Sequence, residues 1–391
     1  MEEARQQPAW EDREQVRRVR GLLAARPGLV HAADVRVLHA QLALVSAGAA
    51  EVVQAGDCAE DPAECGTAAV ARKAAVLDVL AGTLKLGGRR PVVRVGRIAG
   101  QFAKPRSRPT ETRNGTELAV FRGHLVNGPG PEERAPDPLR LMSGYRAAGD
   151  ILAGLGWGRP ARVERPVWTS HEALVLDYEL PLVRATGDGE LLLASTHWPW
   201  IGERTRQPDG PHVRLLAQVV NPVAVKIGPR IEAAELLRLC AVLDPDRRPG
   251  RLTLIVRMGA GTVSQRLPGL VAAVRSAGHP VVWMTDPMHG NTVVTPSGRK
   301  TRYVRTLQSE VRAFRAVLLA AGAFPGGVHL ETTPDRVTEC VRDEREVDLV
   351  EKDYTSLCDP RLTVAQAVEV LGVWGEGDPS APRRATEGRP R

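Results

Sequence analysis

The sequence has little lysine, few cysteines, no long apolar run and no block of like charge. Only six of its 53 basic residues are lysine (Lys73, Lys85, Lys104, Lys226, Lys300 and Lys352), which leaves 53 − 6 = 47 arginines. Set against 46 acidic residues this gives a net charge of +7. The arginines are scattered, often beside acids, as in Arg342-Asp343-Glu344-Arg345, and no run of five or six like charges occurs. The basic stripe that nucleic-acid binding requires is missing, so nucleic acid is excluded as a partner. Nothing approaches the ~18 consecutive apolar residues of a membrane span. The first twenty residues are charged throughout and lack the apolar core of a signal peptide. A cytoplasmic protein with no membrane partner is expected. The five cysteines (Cys58, Cys65, Cys240, Cys340, Cys358) are odd in number and form no C-x-x-C pair, which argues against a disulfide scaffold or a zinc knuckle. What is present is a normal globular composition: 391 residues, 43% hydrophobic and 25% charged, enough apolar content for a large core.

Short β-branched runs alternate with helical patterns along the chain. The runs are Glu51–Asp57, Pro91–Gly96, Pro166–Ser170, Leu191–Thr196, Pro222–Ile227, Arg251–Val256, Pro280–Thr285 and Gly327–Glu331. Between most of them, Thr67–Leu86, Ile231–Leu243, Gly261–Ala277 and Leu307–Ala321 carry the i, i+3, i+4 apolar spacing of amphipathic helices. Eight such units predict a parallel sheet closed into a (β/α)8 TIM barrel over residues 51–374. Residues 1–50 read as two flanking helices, Arg13–Ala25 and Ala33–Ala47, with Pro27-Gly28 as the break. The stretch Gln101–Gly154 begins as an irregular loop and ends in a helix near Pro138–Leu155. The Gly-, Pro- and charge-rich segment 375–391 reads as a disordered tail.

Each run ends in reactive groups: Asp57 and Cys58; Arg97; His171 and Glu172; His197; Lys226; Arg257; Asp286 and His289; Glu331. In a barrel all the C-terminal strand ends surround one mouth, where active sites sit. Cys58, His289, Glu331 and Asp359 offer a thiolate, an imidazole and two carboxylates. That mixed set suits Mn²⁺, Co²⁺, Fe²⁺ or Zn²⁺ rather than Ca²⁺. Arg97, Lys104, Arg106, Arg204, Lys226 and Arg257 lie at strand ends or in the following loops, and converging cations suit a small polyanionic substrate. The lysines are the more informative, because arginine is the background. Lys226 interrupts an apolar strand, where an unpaired charge is costly. The charged loop Trp200-Ile-Gly-Glu203-Arg204-Thr-Arg206 follows at the same mouth and reads as a binding loop.

These segments resemble the class II (plant-type) 3-deoxy-7-phosphoheptulonate (DAHP) synthases. The matching strings are Gln54-Ala-Gly-Asp-Cys-Ala-Glu60, Gly96-Arg-Ile-Ala-Gly-Gln-Phe-Ala-Lys-Pro-Arg-Ser107, Trp168-Thr-Ser-His-Glu-Ala-Leu174, Pro199-Trp-Ile-Gly-Glu-Arg-Thr-Arg206 and Asn221-Pro-Val-Ala-Val-Lys-Ile-Gly-Pro229. Arg257-Met-Gly259, Asp286-Pro-Met-His-Gly-Asn-Thr292, Gly326-Gly-Val-His-Leu-Glu331 and Cys358-Asp-Pro-Arg-Leu362 continue the likeness, which runs from about Pro8 to Trp374. The resemblance implies a TIM-barrel transferase that condenses phosphoenolpyruvate with erythrose 4-phosphate and releases phosphate, the first step of the shikimate pathway to chorismate and the aromatic amino acids. It implies a divalent metal, Mn²⁺ foremost, on Cys58, His289, Glu331 and Asp359. Phosphoenolpyruvate would lie among Arg97, Trp200, Glu203, Arg204, Lys226 and Arg257, and erythrose 4-phosphate against Lys104, Pro105, Arg106 and Ser107. Lys226, Glu203, Cys58 and His289 would be the catalytic groups, Lys226 managing protons and Glu203 orienting water. A homo-oligomer, in the first instance a dimer, is implied as well.

The departures are few. Ala55 stands where the family usually has a second Gly, His124 replaces an Asp, and Thr363 replaces an Asn. The chain is shorter than typical members between the second and fourth strands and at the N-terminus, where relatives carry helices for aromatic feedback. That length, together with Tyr354-Thr-Ser-Leu-Cys-Asp359, resembles the phenazine-type enzymes of secondary metabolism and implies weak or no feedback. Cys358 adjoins Asp359 and should lie near Cys58, so oxidation of the pair would consume a metal ligand. Two rival readings stand beside the main one. One is an enzyme taking an imino or amino analogue of erythrose 4-phosphate. The other is an inactive barrel serving as a regulatory partner.

Overall fold

The computed structural model describes residues 3–113, 115–158 and 167–376. Two helices come first, α1 (Arg13–Ala24) and α2 (Ala32–Ser46). There follow β1 (Glu51–Gly56), α3 (Thr67–Gly88), β2 (Val92–Arg97), α4 (Leu139–Gly154), β3 (Trp168–Ser170), β4 (Trp200–Ile201), α5 (Pro211–Ala217), β5 (Val223–Ile227), α6 (Ala233–Leu243), β6 (Leu252–Val256), α7 (Val263–Ser276), β7 (Val282–Thr285), α8 (Val304–Ala320), β8 (Pro325–Glu331) and α9 (Val364–Leu371). Seven parallel ladders join β3-β2-β1-β8-β7-β6-β5-β4 in that order. The ring is closed between β3 and β4 by a single bridge, Glu172 to Trp200. The N–H groups of Trp198 and Trp200 also donate there to the carbonyls of Thr169 and His171.

The alternation of side chains across each strand sorts the residues. Val53, Ala55, Val223, Val225, Val328 and Leu330 face outward into a layer shared with the surrounding helices. Val52, Val93, Val95, Ala224, Ile255, Val282 and Met284 face inward and form the barrel interior together with Trp168 and Trp200. The same period of two carries Gln54, Arg97, Ser170, Lys226, Asp286, His329 and Glu331 to the inner face near the strand ends. Leu38, Leu42 and Val45 of α2 join that interior from below. This helix therefore plugs the N-terminal end of the barrel, as expected for a capping element. Gly250 is needed for its seat: its φ is +81°, and a Cβ there would lie 2.4 Å from the Ala43 nitrogen.

The fourth predicted strand needs correction. Leu191–Leu193 pairs antiparallel with Val183–Ala185 outside the ring, and the fourth barrel strand is Trp200–Ile201. An apolar run reports burial, which a hairpin packed beside the barrel satisfies equally well. The loop after β2 holds a further hairpin, Thr110–Arg113 with Thr116–Ala119. At the C-terminus, Glu376 pairs with Arg312 at 2.6 Å, so the structured chain runs two residues beyond the predicted boundary. The remainder of the predicted tail, 377–391, lies outside the described residues, as does Pro166 of the third predicted strand. Among the described residues no helix is long and apolar enough to cross a membrane.

Candidate active site

The four predicted metal ligands converge. Ligand atoms of Cys58, Glu331 and Asp359 lie within 4.8 Å of one another, and His289 Nε2 is 3.1 Å from Glu331 Oε1. At their centre stands the Lys104 ammonium, 2.9 Å from Cys58 Sγ, 2.9 Å from Glu331 Oε1, 2.9 Å from Asp359 Oδ2 and 3.5 Å from His289 Nε2. A single cation thus meets all four donors, and a sulfur, nitrogen and two-oxygen set fits a borderline divalent metal. Burial lowers the His289 imidazole despite Asp286 and Glu331, so the ring is neutral. Its Nδ1 faces Asp286 Oδ2 at 2.8 Å; this contact places the proton on Nδ1 and leaves the Nε2 lone pair for the cluster. Burial alone would raise the Glu331 carboxyl, but the cations Lys104, Arg302 and Arg97 hold it well below the usual range. Burial pushes the Cys58 thiol well up, and so does the hydrogen bond that it gives to the Cys358 sulfur.

Beside this cluster opens a cavity of about 790 Å³. All ten predicted substrate residues line it: Arg97, Lys104, Pro105, Arg106, Ser107, Trp200, Glu203, Arg204, Lys226 and Arg257. His289 and Asp359 reach it too, whereas Cys58 and Cys358 line a separate cavity of about 350 Å³ behind the cluster. Arg97 is held by a network. Its Nε donates to Asp57 O (3.0 Å), Nη1 to His329 Nε2 (2.5 Å), and Nη2 to Cys58 O (3.2 Å) and Glu331 Oε1 (3.0 Å). Among the described residues that leaves one of its five N–H groups unused. His329 can accept because of a chain that ends on a carbonyl. Ser170 Oγ donates to Trp198 O, Gln54 Nε2 donates to Ser170, and Gln54 Oε1 therefore takes the Nδ1–H of His329 at 2.5 Å.

Trp200 carries two of the cations over its ring, the Arg97 guanidinium at 5.2 Å and Lys226 Nζ at 5.8 Å. Lys226 also donates to Asp286 Oδ2 at 2.8 Å. Burial pulls its ammonium down to about 8, opposed by Asp286. Arg204 donates to Ser107 Oγ at 2.6 Å, so the two predicted substrate segments touch. Arg106 is shared between Glu111 and the Cys358 sulfur. Glu203 gives one oxygen to Arg206 at 3.0 Å; its other oxygen has no hydrogen-bond partner among the described residues.

Sequence reasoning gave no role to Glu172, Asp286, Lys300, Arg302 or His329. Glu172 lines the cavity with Oε1 unpartnered among the described residues, and burial raises its carboxyl against Lys226, Lys104, Arg204 and Arg97. A Cβ on Gly202 would lie 2.0 Å from that oxygen, so the glycine makes room for it. Lys300 donates to Asp359 Oδ1 at 2.8 Å from the rim hairpin Val293–Val294/Lys300–Thr301. Arg302 donates to Glu331 Oε2 at 2.8 Å. The signals available were strand-end position for Glu172 and Asp286, and the rarity of lysine for Lys300.

The description "Class-II DAHP synthetase family" matches residues 1–159 and 155–373. The chain belongs to that family. It is 54% identical over 378 residues to a "Probable phospho-2-dehydro-3-deoxyheptonate aldolase" of Pseudomonas fluorescens, covering 95% of this chain and 94% of that one. It is 40% identical over 420 residues to the "Phospho-2-dehydro-3-deoxyheptonate aldolase" of Streptomyces coelicolor (strain ATCC BAA-471 / A3(2) / M145), covering 94% and 93%. The solved structure of the phospho-2-dehydro-3-deoxyheptonate aldolase from Francisella tularensis SCHU S4 superposes with a TM-score of 0.54 over 88% of this chain and 90% of that one, at 14% identity. At that identity the likeness concerns the fold alone. In this class II DAHP synthetase the sequence motifs and the convergence of their side chains therefore point to one site.

Proposed function

We propose that this chain is a metal-dependent DAHP synthase that condenses phosphoenolpyruvate with erythrose 4-phosphate and water, giving 3-deoxy-D-arabino-heptulosonate 7-phosphate and phosphate. One observation carries the reading: ten residues from four separate motifs line one cavity, against three clustered metal donors, Cys58, Glu331 and Asp359, with His289 beside Glu331. Cys58, His289, Glu331 and Asp359 would hold the metal, with Mn²⁺ favoured over Co²⁺, Fe²⁺ or Zn²⁺. When bound there, the metal supplies Lewis acidity to the aldehyde oxygen of erythrose 4-phosphate.

The chain's own residues do the rest. Arg97, Arg204, Arg257 and Lys226 bind the carboxylate and phosphate of phosphoenolpyruvate, and Trp200 fixes the first and last of these cations from below. Lys104, Arg106 and Ser107 bind erythrose 4-phosphate, and Pro105 stiffens that segment. C3 of phosphoenolpyruvate attacks the aldehyde carbon, and positive charge develops at C2. Glu203 and Glu172, which line the cavity and each have one oxygen unpartnered among the described residues, orient the water that adds at C2. Lys226, with its proton held loosely by burial, carries protons between that water and the new hydroxyl. The resulting hemiketal expels phosphate by C–O cleavage. The short connection between β3 and β4, which holds one α-helical turn, one 3₁₀ turn and a hairpin, supports an enzyme without aromatic feedback that feeds secondary metabolism.

The test is phosphoenolpyruvate consumption with and without erythrose 4-phosphate, after chelation, and after return of Mn²⁺ or Co²⁺. Consumption should require both the acceptor and the metal. Consumption indifferent to the acceptor overturns the reading, and faster turnover of an amino analogue reassigns the acceptor.

A further inference from the structure

Helix α8 belongs to the outer ring, yet one carboxylate on it reaches the mouth. Glu310 is fully buried on the inward face of α8, beside Leu307, Val311 and Phe314. A carboxylate out of water is tolerated only where its lone pairs are satisfied. Here Oε1 accepts the Met258 N–H (3.1 Å) and the Gly259 N–H (2.9 Å), and Oε2 accepts the side-chain amide of Asn291 (2.5 Å). The first two donors directly follow Arg257, and the third lies two residues beyond His289. The polarity of the last contact is fixed, because Asn291 Oδ1 takes the Ala260 N–H at 3.0 Å. The NH₂ group is therefore the part of Asn291 that faces Glu310. The two loops also touch directly. Arg257 Nη2 donates to His289 O at 2.7 Å, and a Cβ on Gly290 would lie 2.3 Å from the Gly259 nitrogen.

We propose that Glu310 is a positioning residue that makes the β6 and β7 loops one rigid unit, and so sets the separation between the Arg257 guanidinium and the His289 imidazole. On the functional reading above, that separation is the one between part of the cationic grip on phosphoenolpyruvate and the metal. The acceptor segment Lys104–Ser107 has no contact with Glu310 and meets this unit only where Lys104 stands 3.5 Å from His289, so the acceptor KM should move less than the other two constants.

The experiment measures four quantities on the full chain and on the variants Glu310→Ala and Glu310→Gln. They are the Co²⁺ dissociation constant by calorimetry, KM for phosphoenolpyruvate, KM for erythrose 4-phosphate, and the thermal midpoint. Outer-sphere partners of a metal site change metal affinity by about 10–100-fold. For the alanine variant, the Co²⁺ constant and the phosphoenolpyruvate KM should each rise about 10-fold, with the acceptor KM within about two-fold. Glutamine keeps one acceptor oxygen but opposes an amide to Asn291, so it should fall between; it carries the comparison if the alanine variant does not fold. A folded variant with both constants unchanged overturns the proposal, as does a rise shared equally by the acceptor KM. Those outcomes leave an active, metal-binding wild type in place. A wild type that neither binds Co²⁺ nor consumes phosphoenolpyruvate instead overturns the functional reading, and the proposal with it.

Discussion

Two buried arginines sit at opposite ends of the same barrel and are used differently. At the base, Arg251 gives Nε to Leu243 O (3.1 Å), Nη2 to Leu216 O (2.8 Å) and Nη1 to Asn221 O. Its charge meets no carboxylate among these partners, and burial draws its guanidinium down to about 10. At the mouth, Arg97 is just as buried but is held by two carbonyls, a neutral imidazole and a carboxylate, lines the cavity and keeps one N–H unused among the described residues. The base arginine ties off carbonyls where α5 and α6 end and just before β5 begins. The mouth arginine is braced so that it is still able to bind something else. Burial alone does not separate structural from functional charge; the fate of each N–H does.

The comparison is broken most strongly by exchanging the two. Arg97→Met should lower kcat/KM by about 10³-fold, the size of loss expected when a preorganised charge contact is removed, and lower the thermal midpoint as well, because it orphans two buried carbonyls and the His329 Nε2. Arg251→Met should lower the thermal midpoint alone. It orphans three buried carbonyls, at roughly 1–3 kcal/mol each, so thermal unfolding should come several degrees lower with kcat/KM within about three-fold. Loss of activity in the base variant greater than in the mouth variant would invert the argument. Cys58→Ala tests the mouth from the metal side. Calorimetry should show no Co²⁺ binding, and chelated wild type should match its residual rate.

Peroxide should act on the same residue. Two thiols, Cys58 and Cys358, become one disulfide as peroxide is reduced to water, and the chain loses about two mass units together with metal binding. Both thiols found free after peroxide inactivation would sink this pairing. A smaller effect concerns pH. Burial pushes the Glu310 carboxyl up from 4.5 to about 7, so the folded protein binds more protons than the unfolded chain between those values. Stability from this group is present below pH 4.5 and is lost as pH rises through 7, on the order of 3 kcal/mol. Melting curves from pH 4.5 to 8 should show that fall in the wild type and lack it in Glu310→Gln. Smallest of all, added phenylalanine, tyrosine or tryptophan should change the rate by less than about two-fold, in keeping with the short β3–β4 connection.

Much of this was legible in the chain itself. Seven of the eight barrel strands coincide with β-branched runs, because a strand covered on both faces must be apolar throughout. Lys226 stood out because a charge inside such a run has to be used. Trp200–Ile201 was not legible as a strand, since two residues carry no periodicity, and the richer run at Leu191 drew the assignment. Glu310 and Arg302 were hidden for another reason. A charge within an amphipathic helix or beside a hairpin reads as solvated, and only the packing of a distant loop against it reveals otherwise. His329 gave no sign either, because its role lies in the tautomer imposed by Gln54 and Ser170 from neighbouring strands.

The closure of the ring has a mechanical consequence. Seven interfaces are ladders and one is a single bridge, Glu172 to Trp200, with a few backbone hydrogen bonds beside it. A cylinder built this way yields along that line first, as a clasp does. Amide hydrogens beside the bridge, at Trp198, Trp200 and Ala173, should exchange with solvent sooner than those of β1 or β8. Trp200, over whose ring Arg97 and Lys226 lie, thus stands between that clasp and its ladder to β5, so any movement there is passed on through Ala224.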